Sequence, residues 1–88
     1  MSFIPGIYRH FKGNLYAAVC TAKDSEDPSR TLVIYRALYG EGEVWVRPLS
    51  MWQEQVCRDE ITQPRFTFVR PFKEGENPFS FDFNGTNV

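Results

Sequence analysis

Turns marked by glycine, placed between short runs of β-branched and aromatic residues, constrain the fold of this chain more than any other feature. Gly13-Asn14 and Gly40-Glu41-Gly42 are two such turns. Glycine adopts the positive φ of a tight hairpin turn without steric cost, so each turn predicts an antiparallel hairpin. The four strands predicted in this way cover residues 6–11, 15–22, 31–39 and 43–47.

The segment that follows the second hairpin changes period. Leu49, Trp52 and Val56 fall on one helical face, and the fixed φ of Pro48 suits a first helical position, so we expect about two turns of helix from Pro48 to Cys57. A capping pair of Ser50 and Gln53 is an alternative that starts the helix two residues later. A final strand is predicted over residues 65–70, with Phe66 and Phe68 on one face.

Five strands with a short helix before the last one is the order of a small SH3-like barrel, which is the fold we predict. The second strand supports this fold because both of its faces are apolar or small, as in a central curved strand. The polar run at residues 23–30 contains Pro28 and is predicted to be a long loop. The alternative fold is an open antiparallel sheet with a helix across one face.

Length and charge bound the domain organisation. The 88 residues suffice for one modest core, which we assign to residues 1–73. These residues hold all 10 Lys and Arg and 8 of the acids, whereas residues 74–88 hold 3 acids and no base. We expect residues 74–88 to form a loosely ordered acidic tail, with a docked strand at residues 79–83 as the alternative.

Several chemistries and locations are disfavoured by the sequence. No apolar run is long enough to span a bilayer, and the first residues lack the pattern of a signal peptide, so we expect a cytoplasmic protein that does not bind membranes. Cys20 and Cys57 are widely separated, and we expect two unpaired and largely buried thiols. A single histidine, His10, and scattered acids give no metal-ligand spacing, no cofactor motif and no catalytic group with a suitable partner. A hydrolase that uses Ser25, Glu26 and His10 is the weakest alternative.

Alternation along the strands predicts a surface patch of aromatic and basic side chains. Trp45 and Arg47 share one face of the fourth predicted strand, with Val44 and Val46 on the opposite, core face. The complete set of predicted ligand-binding residues is Tyr8, His10, Lys12, Tyr35, Tyr39, Trp45, Arg47 and Arg65.

Each of these residues also has a purely structural interpretation. Trp45 and Tyr39 are suited to cover a thin core. Tyr8, His10 and Tyr16 are suited to form cross-strand aromatic contacts, and Arg65 to hold the last strand. Trp52 fits a core position at helical spacing.

Tryptophan, tyrosine and arginine are the usual anchors of protein interfaces, so the patch predicts a module that binds a protein or peptide, as a monomer or weak dimer. A nucleic-acid module that stacks bases on the tyrosines and tryptophan is the alternative. The small excess of base in residues 1–73 favours the first of these.

Five segments in this order and spacing resemble a small bacterial domain family of unknown function. They are GIYRHFKGNLY at 6–16, SE at 25–26, VIYRALYG at 33–40, WVRPLSMWQE at 45–54 and PRF at 64–66. The resemblance implies a compact cytoplasmic domain whose biochemical role is not established. The family typically shows His-Ser-Glu where this chain has Asp24-Ser25-Glu26, so the resemblance does not supply a second histidine here.

Overall fold

The described part of the protein is a mainly antiparallel β-structure with one short helix. A computed structural model describes residues 3–76. Its elements are β1 (Gly6–His10), β2 (Leu15–Asp24), β3 (Asp27–Ala37), β4 (Val44–Pro48), α1 (Leu49–Trp52), β5 (Gln55–Arg58), β6 (Ile61–Pro64) and β7 (Phe66–Arg70). The predicted mainly-β class is therefore confirmed.

Five of the strands form one sheet in the order β4-β3-β2-β1-β7, and β5 pairs with β6 in a separate hairpin. The sheet has β4 at one edge and β7 at the other, so the described strands form an open sheet and no closed barrel. Seven strands replace the five that were predicted, because the end of the predicted helix lies in β5 and the residues that follow it form β6. This arrangement is the alternative fold, with the helix packed against the sheet.

The first hairpin matches its prediction. The Gly13 amide donates to the His10 carbonyl at 2.7 Å, and the His10 amide donates to the Asn14 carbonyl at 2.8 Å. β2 lies between β1 and β3, as expected for a central strand, and its register is irregular between Ala18 and Cys20. At the start of β1, a Cβ on Gly6 would clash with the carbonyl oxygen of Arg70, which explains the glycine at this close approach of β1 and β7.

The predicted loop at residues 23–30 is wrong. β2 continues to Asp24 and β3 begins at Asp27, so only Ser25 and Glu26 form the turn. An Asp24 carboxylate oxygen accepts a bond from the Glu26 amide at 2.8 Å, which is the short-range bond of an Asx turn. The polar composition therefore marks an exposed hairpin end and not a long connection.

The predicted helix is too long. α1 ends at Trp52, with the Gln53 amide donating to the Leu49 carbonyl at 3.1 Å, and Pro48 is the last residue of β4. Residues beyond Trp52 leave the helix because they pair across a tight turn at Asp59 and Glu60. Both turn residues have positive φ, 54° and 66°, which is the geometry of a type I′ turn without its usual Asn-Gly.

The core lies on the face of the sheet that α1 covers. Trp52 stacks on Phe66 with ring centroids 3.7 Å apart, and Tyr8 meets the edge of Trp52 at 5.3 Å. Val33 and Ala18 are completely buried in the same cluster. Trp52 is thus a core residue, as its helical spacing predicted.

Three further predictions are tested by burial. Val44 and Val46 were expected to face the core, and this is wrong: they are 50% and 60% exposed at the edge of the sheet, on the face opposite to that of Trp45. Both cysteines are free as predicted, but Cys57 is exposed in the β5–β6 hairpin and Cys20 is half-buried.

The described chain ends in an anchored turn. Both terminal guanidinium nitrogens of Arg70 donate hydrogen bonds to the Glu76 carboxylate, at 3.0 and 3.1 Å. Hydrogen bonds from Arg70 first, and then from the Lys73 amide, lower the pKa of Glu76 to about 2. The predicted tail from residue 77 onward, with its alternative strand at residues 79–83, lies outside the described residues. No helix within residues 3–76 has the length and apolar character needed to cross a membrane.

Candidate binding face

Phe66 is the centre of a group of aromatic and basic side chains on the core face of the sheet. β7 pairs with β1 so that His10 lies directly opposite Phe66, and their rings are 5.0 Å apart. Tyr16 and Tyr35 meet the same ring edge-to-face at 5.8 and 5.9 Å. We call the group the aromatic–basic cluster; its members are His10, Tyr16, Tyr35, Tyr39, Arg47, Trp52, Arg65 and Phe66.

Two tyrosines form the hydroxyl-bearing side of the cluster. The hydroxyl oxygens of Tyr16 and Tyr39 are 2.7 Å apart and share a hydrogen bond, although the residues come from β2 and from the turn after β3. Burial, together with this bond, raises the pKa of Tyr16 to about 12. Tyr16 is therefore a neutral hydrogen-bonding group at physiological pH. Its partner Tyr39 is 48% exposed, so the tyrosine pair lies at the solvent-facing side of the cluster.

His10 is held as a neutral imidazole. Its Nδ1 accepts a hydrogen bond from the Lys12 backbone amide at 3.1 Å, which leaves Nε2 as the protonated nitrogen. Burial lowers the pKa of His10, and the positive charges of Arg47, Arg65 and Lys12 lower it further. The lowered pKa of His10 therefore indicates a positive electrostatic potential at this end of the sheet.

Two arginines reach the cluster from different elements. The Arg47 guanidinium, from β4, lies 5.8 Å from the centroid of the Phe66 ring, within the range of a cation–π contact. Arg65 follows β6 and bonds the Glu54 carboxylate through Nη2 at 3.1 Å. Its backbone is fixed on both sides, because its amide donates to Glu54 and its carbonyl accepts from Phe11, each at 2.9 Å.

Three N–H groups of the cluster are buried without a hydrogen-bond partner in the described structure. They are Arg47 Nε, Trp52 Nε1 and Arg65 Nε. A buried donor that lacks an acceptor costs about 1–3 kcal/mol, so such groups are rare and call for an explanation. All three donors belong to residues of the cluster, so the cluster favours an acceptor or an anion.

The structure brings together most of the predicted site residues. His10, Tyr35, Tyr39, Arg47 and Arg65 all belong to the cluster. Trp45 lies opposite Tyr35 on β4 and is 50% exposed, next to the cluster at the sheet edge. Lys12 borders it through its contact with His10.

Tyr8 lies apart from this surface. It is buried in the core, and its hydroxyl donates to the Ile4 carbonyl at 2.6 Å.

Sequence reasoning missed three members of the cluster. Tyr16 was considered only as a cross-strand partner, Trp52 only as core, and Phe66 only as part of the last strand. Arg65 and Phe66 are adjacent in the sequence, so alternation predicts that their side chains point to opposite sides of the chain. The bend at Arg65 interrupts this alternation, and both residues belong to the cluster. No pattern in the sequence distinguishes a core tryptophan with a bonded indole from one with an unpaired indole.

The strand register keeps the Cys20 thiol away from His10. On β2, Cys20 pairs with Ile34, whereas the end of β2 nearest His10 is Leu15, which pairs with Arg9. Five residues of strand separate Leu15 from Cys20, roughly 16 Å at about 3.3 Å per residue, so Cys20 does not reach the imidazole. No group of three metal-ligating side chains occurs in the part of the chain that the structure describes.

Comparison with known proteins gives a family. The sequence profile described as "Protein of unknown function (DUF1653)" matches residues 6–73. A crystal structure of a DUF1653 protein from Bordetella bronchiseptica is 35% identical, with a TM-score of 0.73, over 82% of this chain and 94% of that chain. A search of curated proteins finds no match. The profile and the solved structure agree, and the chain belongs to the DUF1653 family of proteins of unknown function.

Proposed function

We propose that this chain is a cytoplasmic binding module whose aromatic–basic cluster recognises a protein or peptide segment that presents a carboxylate beside an apolar side chain. The observation that carries the proposal is that three N–H groups of the cluster, those of Arg47, Trp52 and Arg65, are buried and unpaired. Bound carboxylate oxygens accept such bonds, and charge-assisted bonds to arginine are about twice as strong as neutral ones.

The charge of the cluster favours an anion. Arg47, Arg65 and Lys12 lie close enough to depress the pKa of His10, whereas Glu54 is the acid bonded to Arg65. One carboxylate therefore leaves the site with an excess of positive charge. A ligand carboxylate relieves this excess, and the half-exposed Tyr39 and Trp45 offer apolar area for a neighbouring side chain.

The same features disfavour a nucleic acid as the partner. Base stacking needs exposed aromatic faces. Tyr35, Trp52 and Phe66 are buried and pack against one another, which leaves the half-exposed Tyr39 and Trp45 as the stacking surface. The whole chain has a formal net charge of −1, far from the basic surface of a dedicated nucleic-acid binder. An oligonucleotide therefore serves as the competing ligand in the test.

NMR of the three unpaired N–H groups tests the proposal directly. The probes are blocked peptides with one aspartate or glutamate flanked by leucine or tryptophan, the same peptides with asparagine or glutamine, and an oligothymidylate. We expect the acidic peptides to shift the Nε–H signals of Arg47 and Arg65 and the indole signal of Trp52. The amide peptides should leave these signals in place.

Variants of Arg47 separate the effect of its planar guanidinium group from the effect of its positive charge. Arg47→Ala should weaken the acidic peptide by about 2 kcal/mol or more, the scale of an interface hot spot. Arg47→Lys keeps the charge but loses the planar fork, so it should recover only part of the affinity. Arg9→Ala is the matched control, because Arg9 is an exposed cation on the other face of β1 and should not affect binding.

Two results would overturn the proposal. One is equal binding of acidic and amide peptides, which would show that the unpaired donors do not distinguish a carboxylate from an amide. The other is tighter binding of the oligothymidylate, with an affinity that falls steeply as salt rises, the behaviour of a ligand held by its phosphates.

A further inference from the structure

The outer edge of β4 is an exposed apolar strand. β4 is the terminal strand of the five-stranded sheet, and Val44, Trp45 and Val46 are 50%, 50% and 60% exposed. Both faces of the strand are therefore open to solvent within the described structure. Natural edge strands are usually protected by a central charge, a bulge or a proline, and β4 has proline only at its end, Pro48.

The register of β4 against β3 fixes which backbone groups point outward. The Ala37 amide donates to the Glu43 carbonyl at 3.0 Å, which makes Glu43 a hydrogen-bonded partner of β3. Hydrogen-bonded and non-hydrogen-bonded positions alternate in an antiparallel pair. Trp45 and Arg47 therefore also direct their backbone groups to β3, and Val44 and Val46 direct theirs away from the sheet.

We infer that β4 pairs antiparallel with β4 of a second copy of this chain, around a two-fold axis at Trp45. In this register Val44 lies opposite the second Val46, and these two residues carry the outward-pointing backbone groups, so each pair exchanges both hydrogen bonds. Glu43 lies opposite the second Arg47. The strand is thus complementary to itself in backbone geometry, in apolar side chains and in charge.

Neighbouring registers fit less well. Pairing Val44 with itself places Glu43 opposite Trp45. It also places Arg47 opposite Glu41, which lies in the turn before β4 and not on a strand. Pairing Val46 with itself places Pro48, which has no N–H, opposite Val44 in a hydrogen-bonded position. The register centred on Trp45 pairs Arg47 with Glu43, the residue directly before β4, and keeps Pro48 from lying opposite a residue of the second β4.

The paired sheet has one geometric consequence. Residues directly opposite each other share a face, so the two aromatic–basic clusters lie on the same side of the sheet, one on either side of the Trp45 pair. This inference shares Arg47 with the ligand site proposed above, but it rests on the backbone register of β4 and is tested by association of the chain without a ligand. It is an isologous contact, which closes at two copies and does not propagate.

Charge reversal at Glu43 tests the pairing and its register. Sedimentation velocity of the full chain over about a hundredfold range of concentration should show a monomer–dimer equilibrium. Glu43→Arg places two cations opposite each other and should raise the dissociation constant of the dimer by roughly tenfold or more. The double variant Glu43→Arg with Arg47→Glu restores opposite charges across the interface and should recover dimerisation.

A disulfide test reads the register independently. In a background of Cys20→Ala and Cys57→Ala, Trp45→Cys places two thiols at a non-hydrogen-bonded pair on the axis, where strands are closest. We expect Trp45→Cys to form a covalent dimer under mild oxidation, and Val44→Cys, which faces the second Val46, to remain largely reduced. Circular dichroism of each variant checks that the sheet is intact.

Either of two outcomes would overturn the inference. A full chain that stays monomeric at the highest concentration would show that β4 does not self-associate. A dimer that ignores Glu43→Arg, or that cross-links through Val44→Cys and not Trp45→Cys, would place the contact elsewhere or in another register.

Discussion

His10 is the residue whose environment is most sensitive to the charges of the cluster. It packs on Phe66 and lies near three cations, and burial and these charges both oppose protonation. The unfolded chain has no such environment, so it takes up a proton at a higher pH than the folded chain does. The free energy of unfolding should therefore fall as the pH drops below the ordinary value of 6.5 toward the lowered pKa of His10.

NMR titration of the single histidine measures this effect without ambiguity. We expect a midpoint below 6.5 in the folded protein, since burial is the main cause and the neighbouring cations add to it. Arg47→Ala removes one of the cations and should raise the midpoint. A midpoint at or above 6.5, or one that does not respond to Arg47→Ala, would contradict the placement of His10 among these charges.

At the scale of single elements, the β5–β6 turn carries a strained backbone. Asp59 and Glu60 occupy positive φ, and for a residue with a Cβ this region costs about 1–2 kcal/mol. Aspartate tolerates it better than glutamate, because its short side chain bonds locally to the backbone. Glu60 is therefore the less suitable residue of the pair.

Glu60→Gly should stabilise the domain by about 1 kcal/mol, because glycine adopts positive φ without the Cβ penalty. Glu60→Ala is the matched control, since it removes the same charge but keeps the Cβ. Urea denaturation of the three proteins compares their free energies of unfolding. Equal stabilisation by alanine and glycine would assign the effect to charge and would contradict the turn geometry.

The same element shows why the sequence predicted some hairpins and not others. Gly13-Asn14 consists of residues that favour a tight turn, and the first hairpin was predicted at nearly the right bounds. Asp59-Glu60 contains no glycine or asparagine, so its positive φ is set by the pairing of Gln55–Arg58 with Ile61–Pro64 and not by local preference. Helical spacing of Leu49, Trp52 and Val56 then favoured a helix that the structure ends at Trp52.

The candidate site was predictable only in part for a similar reason. Alternation correctly placed Trp45 and Arg47 on one face of β4, because alternation depends on the strand alone. It failed for Val44 and Val46, because their burial depends on what covers the opposite face of the sheet. The unpaired donors of Arg47, Trp52 and Arg65 come from β4, α1 and the bend between β6 and β7, and no local pattern encodes their lack of partners.

At the scale of the whole molecule, the core is small and its aromatic residues gather in one cluster. The buried aromatic cluster joins β1, β3, α1 and β7 on one face of the sheet. Family similarity spans residues 6–73, and the last described contact is the ion pair of Arg70 with Glu76. The elements that form this core therefore lie within the family domain and the short turn that follows it.

Removal of residues 77–88 tests whether this part of the chain is a complete folding unit. All of the named core contacts and the Arg70–Glu76 ion pair remain after truncation at Glu76, so we expect a cooperative thermal transition and dispersed amide signals. The removed residues contribute one net negative charge to a chain of −1, which changes solubility little.

A second truncation, after Lys73, is compared with truncation at Glu76 to measure what residues 74–76 contribute to stability. It removes Glu76 and with it the two Arg70 bonds and the carboxylate that accepts from the Lys73 amide. Exposed ion pairs contribute little to stability, so this variant should still unfold cooperatively at a slightly lower temperature. Loss of the cooperative transition on truncation at Glu76 would mean that residues 77–88 complete the core, since no described contact accounts for such a loss.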